Sequence, residues 1–356
     1  MIIPNNSLFL EAFLASGALI SVGEGELLLG YGPRKWLVTQ AIECPSFYFP
    51  DFFLENPTPW FTHETWIIIS KPDLLHTLST SEKATQTPLS WKTPHAPLLQ
   101  RTFSALQEKF EKEELVKAVP FVFEQTDQTM TSQQLQRSLT TALGYAMQQP
   151  VFLYGFWDTS EGILGVTPEL LFHHNQEQLR LETVACAGTF KAHEMQSALC
   201  NPILLKEHQV VVKGIVESLI PFGEVLSDDM RVLNLPTLSH FVTSISLSLQ
   251  QKTPYESLVR AVHPTPALGA FPRQTGWEWL KDYQTKLKRK RFGAPVGFNI
   301  PGAEHSAAYV AIRNMQWDQC GIVIGAGCGL VQGFDREQEW HEITLKISAI
   351  KKILAL

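Results

Sequence analysis

The sequence predicts an α+β fold, and three observations carry that reading. Glycine-rich apolar runs crowd the C-terminal part of the chain, apolar residues recur at three- and four-residue spacing in several other segments, and strand and helix signals do not alternate as a doubly wound sheet requires. No repeat of fixed period is present.

Taken in order, residues 1–95 read as an irregular, aromatic-rich, mostly β region. Trp36-Leu-Val-Thr and Trp66-Ile-Ile-Ile-Ser are strand-like runs bounded by turn formers. The apolar opening 8–22 contains Glu11, follows no basic segment and falls short of a membrane span, so it is expected to be a buried helix or strand. Serine, threonine and three prolines over 82–99 predict a linker or long surface loop, with a boundary near residue 95.

Residues 98–117 and 132–147 show helical spacing, the second after a Thr/Ser start suited to capping. In 151–172, Val-Phe-Leu-Tyr-Gly-Phe and Glu-Leu-Leu-Phe-His flank Gly162 and Gly165, which predicts antiparallel strands with a turn there. Helical spacing returns over 204–219 and 276–288. Pro295-Val-Gly-Phe, Tyr309-Val-Ala-Ile-Arg and Gly321-Ile-Val-Ile-Gly-Ala-Gly-Cys-Gly read as sheet. A last helix over 338–354 turns Trp340, Ile343, Ile347 and Ile350 inward.

The bulk numbers exclude some classes. Over 356 residues, 44 % hydrophobic and 18 % charged residues describe a folded globular chain rather than a disordered one, while length alone does not count its domains. A net charge of −6 argues against general nucleic-acid binding, and the basic run 286–291 is short enough to be a solvated helix tip. Cys44, Cys186, Cys200, Cys320 and Cys328 are odd in number and lack paired spacing. With no targeting segment in view, the expectation is a cytoplasmic protein that binds neither nucleic acid nor membrane, monomeric or a weak homodimer.

Carboxylates in apolar surroundings point to chemistry, because they prefer water unless a cation or hydrogen-bond donor holds them. Glu169, Glu182, Glu207, Glu339 and Glu342 stand in such places. Glu339 and Glu342, three apart on a helix, could serve one hard cation or simply line a solvated face. Glycines 325, 327 and 329 would let backbone approach a ligand closely and could form an anion nest, though the spacing is not that of a dinucleotide fold. Arg313 at the end of an apolar strand needs an anion, either a ligand carboxylate or a structural glutamate. These residues alone indicate an enzyme or binder for a small anionic ligand, with or without magnesium.

The segment Ala261-Val-His-Pro-Thr-Pro-Ala-Leu-Gly-Ala-Phe-Pro272 closely resembles the signature of isochorismate synthases in the chorismate-binding family. Thr167-Pro-Glu-Leu-Leu, Ala187-Gly-Thr189, Lys206-Glu-His208, Arg291-Phe-Gly-Ala-Pro-Val-Gly297, Ile312-Arg313, Gly325-Ala-Gly327 and Glu339-Trp-His-Glu342 with Lys346 match that family in its order. The resemblance covers roughly residues 100–356. It implies two facing antiparallel sheets flanked by helices, with 96–356 the chorismate-binding core and 1–95 a variable N-terminal part of the same fold.

Carried over by position, the resemblance makes Glu207 and Glu342 magnesium ligands, with Glu339 among or beside them. It makes Arg313, the Gly325 to Gly327 backbone and Lys346 carboxylate binders, and lets Gly188, Thr189 and His240 line the cleft. Glu169 corresponds to the general acid that protonates the departing C4 hydroxyl, which requires a raised pKa. Lys117, in Lys117-Ala-Val-Pro-Phe-Val, is the best match to the lysine that deprotonates water, although Pro120 interrupts that run.

Ammonia-using anthranilate and aminodeoxychorismate synthases usually carry glutamine where Lys117 aligns. Salicylate synthases tend to carry threonine at Ala267 and tyrosine at Phe292. The apolar set Ala267, Leu268 and Phe292 therefore resembles dedicated isochorismate synthases. The resemblance implies magnesium-dependent conversion of chorismate to isochorismate, an isomerase reaction. The alternatives are salicylate synthesis, the ammonia-using reactions, and a binding protein without turnover. Whether the product feeds menaquinone, siderophore or salicylate synthesis is decided by other proteins.

Overall fold

The computed structural model describes residues 6–23, 25–79, 89–93, 95–236, 238–303 and 305–356. The strands are β1 Gly17–Ser21, β2 Glu26–Leu37, β3 Ser46–Tyr48, β4 Trp60–Ser70, β5 Lys117–Ala118, β6 Phe121–Thr126, β7 Phe152–Trp157, β8 Gly162–Thr167, β9 Leu170–Asn175, β10 Arg180–Phe190, β11 Gly223–Ser227, β12 Arg231–Asn234, β13 Ser239–Leu249, β14 Ala270–Phe271, β15 Pro295–Asn299, β16 His305–Val310, β17 Asn314–Asp318, β18 Gly321–Gly327 and β19 Leu330–Val331. The helices are α1 Asn6–Ala15, α2 Lys71–Ser79, α3 Ala96–Glu111, α4 Ser132–Ala146, α5 Met195–Ala198, α6 Pro202–Leu219, α7 Tyr255–Val262, α8 Arg273–Lys286 and α9 Arg336–Ile353.

Among the described residues, sixteen strands form one antiparallel path, β11-β13-β10-β9-β16-β15-β3-β4-β2-β1-β7-β8-β17-β18-β6, with β12 on β13. The two halves of this path face each other. Ala18, Ile20, Tyr154 and Phe156 from one half share an apolar core with Phe47, Phe298 and Tyr309 from the other. The Tyr309 hydroxyl donates to the Ser21 carbonyl across the gap at 2.8 Å. The two expected sheets are thus continuous, because the near end of β4 pairs Phe61 with Phe47 and Trp60 with Tyr48 while its length pairs with β2. Helices cover the outside: α1, α2, α4 and α9 seal one half, α6 and α7 the other. No helix of the described residues is long and apolar enough to cross a membrane.

A second sheet of three short strands, β14-β5-β19, sits beside the large one and carries Lys117. The helix expected over 98–117 stops at Glu111. Beyond it 112–114 are exposed and charged, Glu113 takes φ 57°, Leu115 turns into the interior, and Lys117 and Ala118 follow as buried strand. Pro120 lies between β5 and β6, where the chain changes sheet, so it removes no ladder donor from either strand.

Other expectations are refined. The opening 8–22 is a helix followed by a strand. The turn placed at Gly162 and Gly165 falls instead at 158–161, where the Asp158 carboxylate accepts from the Ser160 and Glu161 amides. Both glycines are strand residues, bare because the Trp317 ring and the Tyr154 hydroxyl lie against them. Residues 82–88 and 94 of the expected linker lie outside the described residues.

Candidate active site

A cleft opens where β10, β18, α6 and α9 meet the segments before β14 and β15. Its lining brings together twelve of the residues singled out in the sequence: Glu169, Thr189, Glu207, His240, Ala267, Leu268, Phe292, Arg313, Gly325, Gly327, Glu342 and Lys346. Lys117 joins them through Glu207, its ammonium donating to the carboxylate at 2.6 Å with the lysine wholly buried. Gly188, expected to line the cleft, is not among its lining residues, and Glu339 lines an adjoining recess that shares Thr189 and Glu342 with the cleft.

Local structure explains each placement. Gly188 takes φ +76° at a bulge between β10 and β13, and a Cβ there would meet the Phe241 ring at 2.7 Å. The bulge sets Thr189 against His240, whose Nδ1 lies 3.1 Å from the Thr189 hydroxyl. Arg313 is not the last residue of a strand: β16 ends at Val310, and Arg313 takes φ 54° before β17 begins. Among the described residues it forms no salt bridge, and its Nη2 approaches His240 Nε2 at 3.5 Å. Burial, then Arg313 and Lys346, hold the His240 pKa well below the usual range, so the ring is neutral, accepting at Nε2 and donating from Nδ1 to Thr189.

Gly325 and Gly327 are β18 residues paired with β6, and Gly329 lies between β18 and β19; none of the three has a positive φ, so they do not form the expected anion nest. They are bare for packing reasons. A Cβ on Gly325 would meet Phe292 at 2.7 Å, one on Gly327 the Pro120 carbonyl at 2.7 Å, and one on Gly329 the Glu207 carboxylate at 1.9 Å. The Gly327 carbonyl accepts from Lys346 at 2.9 Å.

Glu169 lies in the bend between β8 and β9, its amide donating to the Thr167 hydroxyl, and is 5 % exposed. Burial pushes its carboxyl up to about 7, against the pull of Lys117, Lys346 and Arg313. Burial alone would lower the Lys346 pKa, but Glu342, 2.5 Å away, outweighs it and raises the ammonium above the usual lysine range. The cleft therefore presents a buried acid able to hold its proton near neutrality, two lysines and an arginine for anionic groups, and an apolar wall of Ala267, Leu268 and Phe292.

Residues 63–355 match the family model described as chorismate binding enzyme. The chain belongs to the chorismate-binding enzyme family. A salicylate biosynthesis isochorismate synthase of Pseudomonas aeruginosa is 32 % identical over 202 residues, covering 54 % of this chain and 42 % of that protein. A chloroplastic isochorismate synthase of Arabidopsis thaliana is 29 % identical over 200 residues, 54 % of this chain and 35 % of that one. These matches span half or less of the relatives' length. In fold, a menaquinone-specific isochorismate synthase from Escherichia coli superposes with a TM-score of 0.75 at 15 % identity, covering 99 % of this chain and 92 % of that one. An anthranilate synthase component I from Streptococcus pneumoniae gives 0.67 at 15 % identity, over 85 % and 75 %.

At and beside the cleft, three carboxylates could hold a hard cation. Glu207 and Glu342 lie close enough to Glu339 that, after burial itself, they push its carboxyl well above the usual range. Oxygen donors and concentrated negative charge suit magnesium. The side chains are nevertheless not gathered as a cage, since no three His, Cys, Asp or Glu side chains of the described residues form one, and Lys117 and Lys346 each hold one carboxylate.

Sequence reasoning missed Val119, Pro168, Cys186, Ala187, Ile312, Ala326 and Ile350 as lining residues, while Gly329, singled out for close backbone approach to a ligand, does line the cleft. Ala187 and Ile312 lie inside motifs already recognised. Ile350 follows Lys346 by one helical turn, a spacing that could have found it. Cys186 carried no signal: it is a thiol in a strand, raised well above its ordinary pKa by burial and then by Glu169.

Proposed function

We propose that this chain converts chorismate to isochorismate, moving the ring hydroxyl from C4 to C2. The observation that carries the reading is Glu169, a buried carboxyl with its pKa near neutrality in a cleft lined also by Lys346 and Arg313, with Lys117 behind Glu207. Such a carboxyl delivers a proton at pH 7, as a departing hydroxyl requires. As the neutral amine, Lys117 takes the proton from the water that attacks C2, so its ammonium must first release a proton to solvent and exchange its contact with Glu207 for that water. The proton from Glu169 leaves with the C4 oxygen as water, so one water enters and one departs.

Arg313, held by neutral His240, and Lys346 bind the substrate's carboxylates, and their buried setting strengthens those contacts. Ala267, Leu268 and Phe292 offer no hydrogen bond to the ring and keep bulk water from its face. Glu207, Glu339 and Glu342 would hold magnesium, which when bound neutralises and orients the ring carboxylate. A buried lysine at 117, rather than a neutral amide, favours water over ammonia as nucleophile.

The test is chorismate turnover by purified protein and its Glu169→Gln variant, with products separated by chromatography. Isochorismate from the native protein and none from the variant supports the assignment. Salicylate or an aminated ring would move it to another reaction of the family, and tight binding without product would make the chain a binder.

A further inference from the structure

Leu268 and Phe292, two members of the apolar wall, come from separate segments of the chain, and one side chain ties them together. The Arg289 guanidinium donates from Nε to the Phe292 carbonyl at 3.1 Å and from Nη2 to the Leu268 carbonyl at 3.2 Å. It lies 3.6 Å from the centre of the Phe52 ring, with Phe121 at 4.7 Å and Phe292 at 5.6 Å. Gly293, at φ +78°, leaves the room required, since a Cβ there would stand 2.9 Å from Nη2 and 3.2 Å from Leu268 Cδ1.

This is a costly way to fill a core. Arg289 is 1 % exposed, forms no salt bridge among the described residues, and leaves Nη1 buried without a hydrogen-bond partner. A methionine or leucine would occupy similar space without removing a cation from water. Burial lowers its pKa to about 9, a sign of the same cost. What an apolar residue lacks is the rigid fork, which fixes two carbonyls at one separation while the planar face stacks on aromatic rings.

We infer that Arg289 is a positioning residue that sets the distance between the Leu268 and Phe292 walls, and so the width of the cleft over the substrate ring. It does not touch that ring. Through Phe121, at the start of β6, it also braces the stretch that follows Lys117 and Pro120. The inference rests on the reading of the cleft as the chorismate site.

The test compares Arg289→Lys, which keeps a positive charge but loses the fork, with Phe52→Leu, which removes the stacking ring without altering a cleft residue. Folding is checked by circular dichroism and thermal melting, and each protein is assayed with chorismate and by amide hydrogen exchange. With the fold retained, Arg289→Lys is expected to raise KM for chorismate at least tenfold and to speed exchange selectively over 265–270 and 290–294. Phe52→Leu should do the same to a smaller degree. A purely space-filling arginine would lower the melting temperature and leave KM of the folded fraction unchanged, and that result overturns the inference. Should Arg289→Lys fail to fold, Phe52→Leu decides in the same way. If the native protein proves inert toward chorismate, the functional reading fails by itself. The exchange data still decide the inference: selective loosening of the two segments supports the clamp, and unchanged rates reject it.

Discussion

Replacing Gly329 by alanine separates the catalytic arrangement from the fold with one methyl group. Its backbone has no positive φ, so alanine meets no conformational penalty there. The added Cβ would stand 1.9 Å from Glu207 Oε1 and 2.6 Å from Lys117 Nζ, so both charged ends must move. They are the tips of long side chains and can yield, which keeps the collision from destroying the fold. Glu207 is partly exposed and can rotate outward, but Lys117 is wholly buried, and its salt bridge is with that carboxylate. Breaking a buried pair costs about 3 kcal/mol or more when one charge is left unpaired. Displacing a general base removes on the order of 10²–10⁴ in rate. The variant should therefore fold with a lowered urea midpoint and lose at least a hundredfold in kcat. Wild-type turnover by Gly329→Ala would refute the idea that Lys117 and Glu207 must stand where they do.

Four further outcomes follow from the site. Glu169 binds its proton more tightly folded, with a pKa of about 7, than unfolded, near 4.5, so its contribution to stability is full below pH 4.5 and is lost as pH rises through 7. Glu169→Gln should accordingly be more stable than the native protein above pH 7, by up to ~3 kcal/mol, and equal to it near pH 4. Native kcat should fall above about pH 7 as the acid loses its proton, and a rate flat to pH 9 would contradict the assignment. Magnesium should raise the melting temperature of the native protein by binding only the folded state, and Glu339→Ala with Glu342→Ala should abolish that rise. An equal rise in the double variant would remove these residues from the ligand set. Arg313→Lys should raise KM for chorismate by ten- to a hundredfold, since a point charge replaces a buried fork aimed at a carboxylate, whereas an unchanged KM would assign Arg313 a structural role.

Much of this was legible in the chain. The α+β class, α4 with its Thr131 cap, α6, α8 and α9 follow from periodicity and capping chemistry. The cleft residues were legible because several short motifs occur in one order, and the fold brings twelve of the named residues to one cleft. What resisted reading depended on contacts distant in sequence. Whether 115–118 continues a helix or enters a small sheet is decided by pairing with β14 and β19, whose partners are Phe271 and Val331. The bareness of Gly162, Gly165 and Gly329 is set by Trp317, Tyr154 and Glu207, none of which local spacing reveals. The joining of two sheets through β3 and β4 was hidden for the same reason. Arg289 looked like one charge in a solvated basic run, and only the packed structure shows it wholly buried on Phe52.

The central claim is that in the proposed reaction Lys117 moves a proton at C2 of the chorismate ring and Glu169 one at C4. Its most direct test incubates the purified protein and Lys117→Ala with chorismate and magnesium, with and without ammonium and with chelator, and identifies the products. The account predicts isochorismate formed without ammonium by the native protein, and none with chelator or from the variant. Isochorismate formed undiminished by Lys117→Ala, or an aminated product requiring ammonium, would contradict it.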